Sequence, residues 1–251
     1  MSESKASRFF LCPLPPPGRS VSLEEGEAHH ALHVLRLSGG DVVDVFDGQG
    51  NSASARLIEV SRKGVRVEVI ETRPPSPRPL PRVHLCFAVP KGKRLDWLLE
   101  KATELGAASL QPIVFERSVA GGEELSPAAL KRWSSHCIAA AKQCGLNYLP
   151  RIEQPCEFGA FVTRRRDGLW ILGDAGPGSQ PLAAVVSQRS AQDVRLVVGP
   201  EGGLSDAERA AAVAAGMIPA RLGHTILRVE TATVAMLATT VATCDRAVLP
   251  E

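Results

Sequence analysis

The sequence predicts an α/β fold, a parallel sheet with flanking helices, preceded by a small β-rich domain. Three observations carry this expectation. Val83–Val89 alternates as a strand, Leu95, Leu98, Leu99, Ala102 and Leu105 form a helical stripe, and Ser109–Phe115 returns as a strand. That is a βαβ unit, which calls for parallel pairing. Apolar runs at Leu169–Leu172 and Leu196–Val198 each stop at a glycine loop, the pattern of strand ends in an open α/β sheet. Residues 42–69 instead alternate with a period of two, and five prolines between Arg73 and Arg82 separate the two patterns. The expected organisation is a β domain over 1–72, a stiff connector over 73–82 and an α/β domain over 83–251.

Composition excludes several classes. With 251 residues, 44% of them hydrophobic, the chain can bury a real core. No apolar run approaches the roughly 20 residues of a membrane helix, and the start MSESKASRFF has no basic-then-apolar leader. Cys12, Cys86, Cys137, Cys144, Cys156 and Cys244 are scattered without a C-x-x-C pair. Reduced thiols in a cytoplasmic protein are therefore expected, not a zinc site or a disulfide framework. A net charge of +2 does not by itself demand nucleic acid, and 4% aromatics do not support a stacking platform for single strands. The chain lacks a phosphate-loop motif, a G-x-S-x-G elbow and a glycosidase-like carboxylate pairing.

Along the chain, Glu27–Arg36 reads as a short helix. His29 and His33 sit one turn apart there, but no further ligands accompany them, so no metal is expected. Val42–Phe46, Ala53–Val60 and Val65–Val69 are strands, with Asp47–Asn51 as a hairpin turn. The G-x-G-x-x-A beginning at Gly48 is not a dinucleotide fingerprint, because strand alternation resumes at once. Pro90-Lys91-Gly92-Lys93 is the exit loop of the first parallel strand, and Gly106 caps the helix after it. Ser126-Pro127 opens a second helix, whose apolar face is Leu130, Trp133, Cys137, Ala141 and Cys144. Arg164-Arg165-Arg166 is a basic run best read as solvated surface. Ser205 with Glu208 forms a capping-box signal after Gly199-Pro200-Glu201-Gly202-Gly203, and Gly216 ends that helix. A last helix from about Thr231 repeats apolar residues at Val234, Leu237, Val241, Cys244 and Val248. Its other face is small: Ala235, Ala238 and Ala242.

Three glycine loops in one domain, Leu172–Gly176, Gly199–Gly203 and Leu222–Leu227, point to a ligand site. Glycines let backbone groups approach a flat ligand, and Leu222, Ile226 and Leu227 can enclose a ring. Basic residues near element ends, Arg8, Arg36, Lys91, Lys93 and Arg94, can track phosphates.

GPEGG with its capped helix, then LG and ILRVETA, resembles the ribosomal RNA uridine N3-methyltransferases of the SPOUT superfamily. The resemblance extends through RFF at Arg8, HH-x-x-x-VLR ending at Arg36, PKGKRLDWLLEKATELGA and FERS. It implies a trefoil-knotted domain behind a PUA-like RNA-binding β-barrel domain, with S-adenosylmethionine as methyl donor and no metal. It also implies 16S rRNA of the small ribosomal subunit as partner and a homodimer built through the C-terminal domain. A SPOUT methylase with another RNA target, or an assembly factor without catalysis, stands as the alternative.

By that reading the donor contacts are Leu172, Gly173, Gly199, Pro200, Glu201, Gly202, Leu222, Gly223, Ile226, Leu227 and Arg228. The RNA contacts are Arg8, Arg36, Lys91, Lys93 and Arg94. Uridine N3 is protonated at neutral pH, so a base or an anion-stabilising group is required. Arg228 and Glu230 are the catalytic candidates: Arg228 for the uracil oxygen or a phosphate, Glu230 for the proton or to orient Arg228. This chain departs from the family pattern at His224-Thr225, where a basic pair is common. It departs again at Lys142 and Leu146, where glutamate and arginine are usual.

Overall fold

The computed structural model describes residues 6–61, 64–164, 167–189 and 192–245. Arg165, Arg166 and Val248, part of the basic run and of the last helical stripe, lie outside the described residues. The chain divides into two units, residues 1–78 with 141–149, and residues 79–140 with 150–251.

The first unit holds strand β1 (Arg8–Phe10), β2 (Ser20–Ser22), helix α1 (Glu25–His29), a π-helical turn (His30–Val34), and strands β3 (Val42–Phe46), β4 (Ser52–Ser61) and β5 (Gly64–Thr72). They form one five-stranded sheet in the order β1-β3-β4-β5-β2, parallel only between β1 and β3. Register shifts at Ser54/Ala55 and Leu57/Glu59 bend β4 against β5. The predicted alternation is met: Val43, Val45, Val65, Val67 and Val69 are buried with Phe9 and Leu57. The Asp47–Asn51 turn is held by the Asp47 carboxylate, which accepts from the backbone N–H groups of Gln49 and Asn51.

Residues 141–149 join this unit through polar bonds. The Arg8 guanidinium donates to the carbonyls of Ala141 and Leu146 and to Asn147 Oδ1, and stacks over Phe46 at 4.6 Å. Burial lowers its pKa, against the pull of Asp44. Lys142 Nζ lies 2.8 Å from Glu27 Oε1 and 3.0 Å from His30 Nδ1, with side chains only 13% and 15% exposed for the Lys–Glu pair. The departure at Lys142 is thus a charge with a buried partner, and the Leu146 position contributes its backbone carbonyl.

The second unit contains β6 (Arg82–Phe87), α2 (Lys93–Glu104), β7 (Ser109–Val114), α3 (Pro127–Cys144, whose last turn belongs to the first unit), β8 (Arg151–Ile152), β9 (Cys156–Glu157), α4 (Phe158–Val162) and β10 (Leu169–Gly173). It continues with β11 (Gln180–Pro181), α5 (Leu182–Ser187), β12 (Asp193–Val198), α6 (Asp206–Ala214), β13 (Ile218–Arg221) and α7 (Val229–Asp245). The sheet is parallel throughout, in the order β11-β13-β10-β12-β6-β7-β8, with β9 also on β7. Leu85, Leu98, Leu99, Leu110, Ile113 and Ile171 are fully buried within it, each worth about 1.5–3 kcal/mol relative to exposure. Burial pushes the Cys86 thiol up to about 12 and the Cys137 thiol up to about 11, so both are neutral at physiological pH. Helix α7 starts two residues earlier than its apolar stripe suggests, which places Glu230 in its first turn, and it packs on α2, α5, β6 and β12.

The buried Lys142–Glu27 pair makes one expectation concrete. Lys142→Ala should lower the unfolding free energy by about 2 kcal/mol, because it strands a carboxylate in a largely dry position. Adding Glu27→Gln should recover part of that loss in urea titrations. No change in either variant would show that the pair does not stabilise the first unit.

Candidate active site

Register decides where the loops go. Gly173 at the end of β10 pairs with Val198 at the end of β12 and with Ala220 near the end of β13. Three adjacent parallel strands therefore finish level, and the loop after each begins at the same edge of the sheet. β6 also ends level with β12, Phe87 beside Val198, so the loop carrying Lys91 starts there too. Between the three glycine loops lies a cavity of about 520 Å³, lined by Gly173–Gly176, Val198–Leu204 and Ala220–Leu227, with Arg209 from α6 and Val229, Ala232 and Met236 from α7.

The loops are held from behind. Ser205 accepts from the Glu208 N–H while Glu208 Oε2 accepts from the Ser205 N–H, the capping box expected from the sequence. The other oxygen of Glu208 accepts from the Glu116 N–H at 2.8 Å, and Arg117 Nη1 donates to the Gly202 carbonyl at 2.9 Å. The turn after β7 thus braces the Gly199–Gly203 loop, a role that no local pattern around Arg117 announced. Gly173 is needed for packing: a Cβ there would come within 2.9 Å of Met236 Sδ. Gly223 differs, since a Cβ would meet nothing within 4 Å and the residue lines the cavity.

Gly173, Gly199, Pro200, Glu201, Gly202, Leu222, Gly223, Ile226 and Leu227 all line this one cavity, as the sequence reading grouped them. Two proposed donor residues do not. Leu172 is fully buried and packs with Cys86, Trp170 and Val197, because strand alternation turns the residue before Gly173 into the core. Arg228 is exposed and outside the lining, although Leu227 and Val229 belong to it.

Glu230 is 7% exposed, and its Oε2 is buried with no hydrogen-bond partner among the described residues. No ion pair joins it to Arg228 among the described residues; residues two apart on a helix do not face each other. Its cation is Arg94, whose Nε lies 4.0 Å from Glu230 Oε1 and whose Nη1 lies 3.5 Å from Glu201 Oε1. The sequence reading assigned Arg94 to RNA; the structure sets it between Glu201, which lines the cavity, and Glu230, which like Arg228 is outside the lining. Lys91 and Lys93 are exposed beside it in the chain. In the first unit Arg36 is exposed, whereas Arg8 is occupied by its internal bonds. The wall also carries an ion pair the sequence did not suggest, Asp174 with Arg209. Among the described residues no group of three His, Cys, Asp or Glu side chains could hold a metal.

A parallel sheet whose level strand ends close glycine loops around one cavity is the build of a nucleoside-binding α/β enzyme. Family models agree in kind: an RNA methyltransferase domain matches residues 76–241, and an RNA methyltransferase PUA domain matches residues 23–70. The chain belongs to this RNA methyltransferase family. It is 34% identical to a ribosomal RNA small subunit methyltransferase E of Synechocystis sp., over 93% of this chain and 76% of the relative. A Legionella pneumophila structure in complex with the cofactor SAM superposes with a TM-score of 0.86 at 29% identity, covering 95% of this chain and 98% of its own. A ribosomal RNA small subunit methyltransferase E from Neisseria gonorrhoeae, solved bound to S-adenosyl methionine, gives a TM-score of 0.84 at 27% identity, covering 94% and 97%. The fold class expected from the sequence is the fold of these proteins.

The contrast between Gly173 and Gly223 yields a test. Gly223→Val should leave the melting temperature within about 2 °C of the parent, since a side chain there has room. It should cut the cavity's affinity for S-adenosylmethionine at least tenfold by calorimetry, the equivalent of about 1.4 kcal/mol. Gly173→Val should instead destabilise the fold through Met236. Undiminished affinity in Gly223→Val would remove the 222–227 loop from the donor site.

Proposed function

We propose that this chain uses S-adenosylmethionine to methylate N3 of a specific uridine in 16S rRNA of the small ribosomal subunit. The observation that carries the reading is the convergence of three glycine loops on one cavity of about 520 Å³, a size that suits a nucleoside donor. The relatives' names and the donor bound in two neighbouring structures support it.

When bound, the donor supplies an activated methyl group on a sulfonium centre. The chain's own residues have two other tasks. Backbone groups of Gly199–Gly202 and Leu222–Leu227 hold and orient the donor, which aligns the reactants without side-chain chemistry. The acceptor must lose its N3 proton, and Glu230 is the group suited to take it, directly or through a water. Its Oε2 makes no hydrogen bond among the described residues, Arg94 Nε lies 4.0 Å from its Oε1, and it sits in the first turn of α7. Arg94 acts here as a positioning residue for Glu230. Arg228, exposed at the mouth of the loop, serves the uracil oxygen or a phosphate. Arg36, Lys91 and Lys93 follow the RNA backbone, and Arg8 serves RNA binding indirectly by fixing residues 141–149 in the first unit. The chain works in the cytoplasm as a homodimer built through α7, whose Ala235, Ala238 and Ala242 allow close approach of a second helix.

Tritium transfer from labelled S-adenosylmethionine to deproteinised small subunits tests this, followed by mapping of the modified base. Glu230→Gln should lower the turnover rate about 100-fold with donor affinity within threefold. Arg228→Ala should raise KM for RNA without changing donor affinity. Full turnover by Glu230→Gln would end its assignment as base, and label on a position other than uridine N3 would redirect the substrate.

A further inference from the structure

We infer that the Asp174–Arg209 pair binds the amino-acid end of the donor, with the donor's ammonium group on Asp174 and its carboxylate on Arg209. The inference rests on the donor assignment above and deepens it. The cavity wall is mostly glycine and aliphatic, and its acidic and guanidinium side chains are Asp174, Glu201, Arg209 and Arg221. Arg221 donates to the Ser179 carbonyl, and Glu201 is 39% exposed and leans on Arg94. Asp174 is the sequestered one, its side chain 6% exposed. Its Oδ1 accepts from the Gly176 N–H at 3.0 Å, and its Oδ2 accepts from Arg209 Nη1.

The pair lies directly over Gly176. A Cβ there would stand 2.4 Å from Arg209 Nη1 and 3.2 Å from Asp174 Oδ1, so the glycine admits the pair to the wall. Arg209 leaves the first turns of α6 with its side chain 36% exposed, so the guanidinium keeps an open side. A carboxylate has about four lone-pair sites and a guanidinium five N–H donors. Both can therefore take a ligand group without giving up their mutual bond. An α-amino acid carries one charge of each sign on two groups bonded to the same carbon. Laid head to tail against an ion pair, it gives every charge two opposite neighbours. A ribose hydroxyl donating to Asp174 would also make a charge-assisted bond, but it would bring no anion to the open side of Arg209. The chemical class that the pair fits is thus a free α-amino acid group.

The test compares three ligands by calorimetry on the full chain: S-adenosylmethionine, S-adenosylhomocysteine and 5′-methylthioadenosine, which lacks the amino-acid end. Arg209→Gln should weaken the first two roughly tenfold, one charge-assisted hydrogen bond's worth, and leave the third within twofold. Asp174→Asn should show the same split, and binding of 5′-methylthioadenosine certifies the fold of each variant. Equal losses for all three ligands, or no loss for any, would overturn the inference. A parent protein that binds none of the three would instead refute the donor reading itself.

Discussion

The site depends on one constraint, the level finish of three parallel strands. β10, β12 and β13 are neighbours in the sheet, yet in the chain they are separated by helices and by further loops. Parallel pairing requires a crossover between successive strands. Each crossover returns the chain to the same edge, so loops distant in sequence meet there. A slip of one residue in β10 would carry Gly173 away from Val198 and bring Leu172 out of the core. The apolar burial of Leu172 and Ile171 therefore fixes the loop geometry. The donor loops need little specific chemistry of their own, because the sheet core does the positioning.

The carboxylates at the cavity and beside it each lie near a guanidinium. Asp174 faces Arg209, while Glu201 and Glu230 share Arg94. Arg94 and Arg209 hold these carboxylates while keeping 45% and 36% of their own side chains exposed. The brace from Arg117 and Glu208 then keeps the Gly199–Gly203 loop from collapsing into the space.

Much of this was legible in the sequence, and the limits have physical causes. Strands, the βαβ unit and the Ser205–Glu208 capping box are local, so periodicity and spacing reveal them. The grouping of nine loop residues around one cavity also followed, because glycine loops at strand ends have few places to go. Leu172 was grouped with the loop for its adjacency, whereas strand alternation turns its side chain into the core. Arg228 was favoured over Arg94 for the same reason. It is close to Glu230 in the chain, whereas Arg94 reaches Glu230 only through the packing of α2 on α7. Asp174 with Arg209, and Arg117 with Gly202, are likewise products of tertiary packing, and neither side of either pair carries a mark in its own neighbourhood.

Lys142 shows how a departure from a family pattern can be absorbed. Read alone, a lysine where the resemblance leads one to expect glutamate inverts a charge in a helix, two residues before Cys144. In the fold it faces Glu27, contacts His30 and lies 5.2 Å over the Phe9 ring, so the inverted charge has both an anion and an aromatic face. Arg8 adds to the same arrangement by donating to the carbonyls of Ala141, which also accepts from the Gly145 N–H, and of Leu146, just past the end of α3. A leucine at 146 can then replace an arginine without loss of the bond, because the backbone oxygen, not the side chain, is what Arg8 uses. The basic residues of the first unit thus fall into two kinds. Arg8 and Lys142 secure the end of a helix, and others such as Arg36 are exposed to solvent. Sequence position alone does not separate these kinds; burial and the partner of each guanidinium or ammonium do.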